Sequence, residues 1–166
     1  MTDRFDSYEE EIGAWEVHLG KFILACGEIE RATYELLLAL PTEDLSSIVL
    51  NMKLVLRIDL ILSLLPQRIS DEGLVKQMSN LLSKVKDKIG TRNIIAHNPV
   101  ELSLYDSEHG IDTRQAVSKF HTDFEKMRKT EIDIYQLIDR CTEMQLLASE
   151  LIQTQYKVES FLERGK

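Results

Sequence analysis

Residues 15–40, WEVHLGKFILACGEIERATYELLLAL, decide the fold. Trp15, Leu19, Phe22, Cys26, Ile29, Thr33, Leu36 and Leu40 recur at alternating steps of four and three. That spacing puts every one of them on a single side of a helix, the side that seeks a core. It predicts a first helix from about Ser7 to Leu40, ended by Pro41. Gly13, Gly20 and Gly27 recur every seven residues on another stripe of the same helix. Glycine weakens a helix, so three in register predict the close approach of another helix backbone.

Working outward, Thr42 is placed to cap a second helix from Glu43 to Leu65, stopped by Pro66. Its apolar residues, among them Leu50, Leu54, Ile58, Ile61 and Leu65, lie nearly all round. Such a helix must be covered on several sides, either at the centre of a bundle or by a second subunit. A bundle of this size rarely buries one helix completely, which favours a homodimer. The third helix begins at Ser70-Asp71 and carries Leu74, Met78, Leu81, Val85 and Ile89 on one stripe, which leads on to Arg92. Gly90-Thr91 is expected to loosen it. Beyond Pro99 the period changes to two: Val100, Leu102 and Leu104 alternate with Glu101, Ser103 and Tyr105. With a turn over 107–110, a β-hairpin is expected at about 100–120. Thr122 and Glu125 form a capping box for a last helix reaching about Glu163. The expected class is all-α: one domain over 1–166, an antiparallel up-down four-helix bundle with a small β-hairpin between helices three and four.

Composition narrows the function. The 166 residues carry a net charge of -8, which excludes nucleic-acid binding by bulk electrostatics. Any RNA contact must be local, and Lys84, Lys86 and Lys88 form the one basic cluster before the Arg92 region. A solvated helix face is the plain alternative for that cluster; Lys84 and Lys88 are the candidate RNA contacts. Cys26 and Cys141 fall on apolar stripes and read as small buried hydrophobes. The N-terminus is acidic, unlike a signal peptide, and the apolar run Leu54–Leu65 is too short to span a bilayer. A cytoplasmic protein without membrane contact is expected. His18, His97, His109 and His121 lack metal-ligand spacing, and no glycine-rich phosphate loop is present, so neither metal nor cofactor is expected.

The chemistry concentrates in Arg92-Asn93-Ile94-Ile95-Ala96-His97-Asn98-Pro99. A guanidinium binds a phosphate through two parallel hydrogen bonds and offsets charge in a transition state. An imidazole titrates near neutrality, so it can take a proton from a 2′-hydroxyl or return one to the leaving oxygen. Asn93, four residues before His97, shares its face and can orient the ring or touch the phosphate. The structural alternative pairs Arg92 with Glu28, Glu30 or Asp59, and leaves His97 as a favourable cation at a helix C-terminus.

A third helix ending in Arg92-Asn93-x-x-x-His97 resembles the HEPN superfamily, whose signature is an arginine, four to six residues, then a histidine. The resemblance implies a dimeric helical bundle with the motif facing a cleft between protomers. It implies a metal-independent RNA endonuclease, or an RNA- or nucleotide-binding protein, in which Arg92, His97 and Asn93 form the catalytic set. It also implies toxin–antitoxin or phage-defence partners. HEPN toxins regulated through a tyrosine two residues after the histidine differ here, because that position is Pro99. The alternative function is a non-catalytic helical interaction or regulatory module that binds another chain, such as a cognate antitoxin.

Overall fold

The computed structural model of the chain describes the backbone of residues 3–40, 51–97, 100–107, 110–117 and 131–164, and the side chains of residues 10, 12–40, 51–90, 92 and 134–164. The elements, in order, are α1 (Asp3–Ala39), α2 (Leu54–Arg68), α3 (Glu72–His97), β1 (Val100–Ser107), β2 (Gly110–Val117), β3 (Glu131–Asp133) and α4 (Ile134–Arg164).

The α1 stripe does what its spacing predicts. Trp15, Phe22, Cys26, Ile29, Leu36 and Leu40 are buried, together with Thr33. A hydroxyl is tolerated there because Thr33 Oγ1 donates to the Glu30 carbonyl at 2.9 Å. α2 buries Ile58, Ile61 and Leu65 and runs to Arg68, so Pro66 lies inside it and does not stop it. Proline removes one donor from the ladder without barring the residues after it. Ile69 N closes on the Leu65 carbonyl at 2.9 Å, and Gln67 Nε2 adds a donor to the Ser63 carbonyl at 2.8 Å. Residues 51–53, expected inside this helix, are not helical, and Lys53 is extended, so the helix starts only at Leu54; Pro41, Thr42 and the expected helical residues 43–50 lie outside the described residues.

α3 starts where its cap predicts. Leu74 N donates to Asp71 Oδ1 at 3.0 Å. Asp71→Ala is expected to cost about 1 kcal/mol, read as a lowered melting temperature. The helix continues without interruption through Gly90 to His97, so the loosening expected at Gly90-Thr91 is corrected. A Cβ added at Gly90 would meet nothing within 4 Å. Gly90→Ala should therefore stabilise the chain by up to ~1 kcal/mol, which thermal denaturation would register.

The predicted class needs two corrections. First, the insertion is a three-stranded antiparallel sheet in the order β1-β2-β3, not a two-stranded hairpin in an otherwise all-α chain. Val100 opposes Val117 and Ser107 opposes Gly110, and β3 adds to β2 through Arg114–Asp133 and Ala116–Glu131. β3 occupies residues expected in the last helix, which begins at Ile134. Three residues are too few to display a period of two, so the strand left no pattern to read. The turn residues Glu108 and His109, and the Thr122–Glu125 box, lie outside the described residues.

The second correction concerns helix direction. The chain forms two compact units, one of Met1–Leu24 with Gly90–Met144, the other of Ala25–Ile89 with Gln145–Lys166. Within the second unit, α2 and α3 are joined through Ile69–Asp71, and Lys86 Nζ meets Asp59 Oδ1 at 2.7 Å, which makes them antiparallel. Leu74 lines a groove with Phe161, and Lys84 lines another with Glu150, so α3 and α4 are antiparallel too. Gln155 Nε2 reaches Glu35 Oε2 at 2.7 Å, and Arg57 Nη1 reaches the Glu30 carbonyl at 3.4 Å. Both contacts form only if α1 points the same way as α2 and α4. In the opposite sense Glu30 and Arg57 would stand roughly 24 Å apart along the axis, at 1.5 Å per residue. So α1, α2 and α4 are parallel and α3 alone runs against them, which overturns the up-down alternation. Gln155, buried at this junction, also donates to Glu159 Oε1 at 2.9 Å, so both amide hydrogens are used.

Candidate functional site

Arg92 sits half-buried on α3, five residues before the helix ends at His97. Asn93 and His97 belong to the same helix. In a regular α-helix, positions five apart diverge by about 140° and rise about 7.5 Å. The uninterrupted run through Gly90 removes the helix distortion that would have turned Arg92 and His97 towards each other. Asn93 and His97, four apart, do share a face. Within one helix, positions 93 and 97 therefore share a face and position 92 lies on another. His97 is the last residue of α3, and the final turn of a helix, whose carbonyls lack helical partners, favours a cation.

Lys84 and Lys88, four apart, share a face of α3; Lys86, two from each, diverges from both by about 200°. Lys84 is exposed beside Glu150 and Lys157, Lys86 is held by Asp59 at 2.7 Å, and Lys88 is half-buried. Asp59, one of the acids considered for Arg92, is thus engaged by Lys86. Two grooves lie between α3 and α4 in the second unit. The larger, about 590 Å³, is lined by Asp71, Leu74, Gln77, Tyr156, Phe161 and Arg164. The smaller, about 320 Å³, shares Gln77 and Lys157 with it and adds Asn80, Lys84, Glu150 and Gln153. Lys157 and Arg164, spaced by seven on α4, are functional candidates that no motif pointed to. His18 Nδ1 is buried with no hydrogen-bond partner among the described residues.

Neither Cys26 nor Cys141 forms a disulfide, and both are buried. Burial pushes the Cys141 thiol above its ordinary pKa, and the nearby Lys21 charge offsets only part of that. The protonated thiol is the unreactive form, so Cys141 should alkylate far more slowly in the native protein than after unfolding. Among the described residues, no cluster of three or more His, Cys, Asp or Glu is placed to hold a metal. Among the same residues, no helix is long and apolar enough to cross a membrane.

The apolar all-round character of α2 is met within the chain. Ile58, Ile61 and Leu65 are buried, Leu54, Val55, Leu60, Leu62 and Leu64 are half-buried, and Leu56 alone of its aliphatic residues is exposed. The argument for a partner subunit on α2 therefore loses its basis. No family model, no curated protein and no solved structure matches this chain.

Proposed function

We propose that the chain is a HEPN-like protein that binds RNA and cleaves it without metal, using Arg92 on the scissile phosphate, His97 as general acid/base and Asn93 in support. One observation supports this: α3 persists as a helix to His97, with Asn93 four residues earlier on the same helix. Divergence of Arg92 from His97 within one helix calls for the second copy of the motif, across a two-fold axis. Each cleft would then use the arginine of one protomer and the histidine of the other. The ends of α3 need no metal for this, because the guanidinium supplies the charge and the imidazole moves the proton.

Incubation of the purified protein with single-stranded and transfer RNA in the presence of a chelator tests the proposal. The expected result is chelator-resistant cleavage leaving 2′,3′-cyclic phosphate ends. Cleavage that stops on chelation, or RNA left intact at every concentration, would reject it. The second function, a non-catalytic module that binds another chain, is favoured by a different observation. α1 leaves Val17, Ile23 and Leu24 exposed. An RNA-inert protein that still self-associates or captures a cognate partner would match that function.

A further inference from the structure

The far side of α1 repeats as regularly as its core side. Gly13, Val17, Gly20, Leu24, Gly27, Arg31, Tyr34 and Leu38 alternate by four and three along one uninterrupted helix. This row lies roughly opposite the buried stripe at 3.6 residues per turn. Val17 is 51% exposed, Leu24 71% and Leu38 40%. A Cβ added at Gly13, Gly20 or Gly27 would meet nothing within 4 Å. Among the described residues, the close helix approach expected from these glycines is therefore absent. Glycine inside a helix weakens it relative to alanine, and nothing among the described residues offsets that.

We propose that this face docks a second copy of the chain, α1 on α1 in antiparallel sense. The face is complementary to itself in that sense. With the two-fold axis passing between Ala25 and Cys26, Leu24 fills the notch at the partner's Gly27, and Arg31 lies over the partner's Gly20. Val17 meets the partner's Tyr34, and Leu38 meets the partner's Gly13. Every bulky residue faces a glycine or fits beside a ring, as seams with apolar residues every 3.5 positions require. Charge agrees with shape: Lys21 on one flank falls opposite the partner's Glu28, and two-fold symmetry repeats the pair. Both residues are exposed. A parallel pairing sets leucine against leucine and glycine against glycine, and brings Glu30 towards the partner's Glu35. The antiparallel sense wins on both counts.

Sedimentation of the full chain tests this without reference to RNA, and a dimer indifferent to Leu24→Asp would overturn this face while leaving the second copy that the catalytic proposal needs. The wild type should sediment as a dimer at micromolar concentration, and Leu24→Asp as a monomer with unchanged helical circular dichroism. Lys21→Glu and Glu28→Lys should each weaken the dimer by roughly tenfold, given two exposed pairs per interface. The double variant Lys21→Glu/Glu28→Lys should recover most of the wild-type affinity. A monomeric wild type, or a dimer indifferent to Leu24→Asp, would overturn the docking face. A double swap weaker than either single one would overturn the antiparallel register.

Discussion

His97→Ala should lower RNA cleavage by roughly 10²–10⁴-fold, the usual contribution of a positioned general acid/base. The helix should survive the change. His97 is the last residue of α3, so alanine removes no hydrogen bond from the interior of the ladder. Circular dichroism and melting should stay close to wild type. Arg92→Ala should be as inactive, but Arg92→Lys should also fail, because a lysine cannot reproduce the two-pronged contact with phosphate. That asymmetry separates catalysis from charge. Should Arg92→Ala unfold the chain, or should Lys restore full activity, the arginine serves packing or general charge instead.

Leu36→Ala should destabilise by about 3 kcal/mol, within the 2–5 kcal/mol range for buried leucines. Leu36 is fully buried on α1 beside Ile29 and Leu40 in the core stripe. Two residues away, Leu38 is 40% exposed, and Leu38→Ala should change monomer stability by less than about 0.5 kcal/mol. Urea titration of both variants checks the pair at once. Comparable losses at both positions would mean that α1 is covered on both sides in the isolated chain. The comparison should be made in the Leu24→Asp background, so that self-association does not contribute.

The helices were legible because burial imposes a period. The α1 stripe and the Asp71 cap are local patterns, and each reappears as buried side chains or as the bond from Leu74 N to Asp71 Oδ1. The direction of the helices was not legible. It depends on contacts between residues far apart in sequence, such as Gln155 with Glu35, and no local period encodes those. The strand Glu131–Asp133 was hidden for a related reason, since its partner β2 defines it more than its own three residues do. For the candidate site, the sequence offered the residue types and their spacing. It could not show that α3 stays regular through Gly90, and that regularity is what separates Arg92 from His97.

The parallel pairing of α1 with α4 also bears on how the chain is made. Gln155 meets Glu35 across 120 residues of sequence, and α4 brings Leu151 and Val158 to the core. A ribosome releases α1, α2 and α3 well before that last helix emerges. Until then the buried stripes of the first three helices have no fourth wall, and the growing polypeptide carries apolar surface into a crowded environment. Distant partners of this kind slow folding, because the loop between them must close before the contact repays it. Nascent chains arrested before Gln145 should therefore be protease-sensitive and bound by chaperones, while release of about twenty more residues should convert them to the protected form.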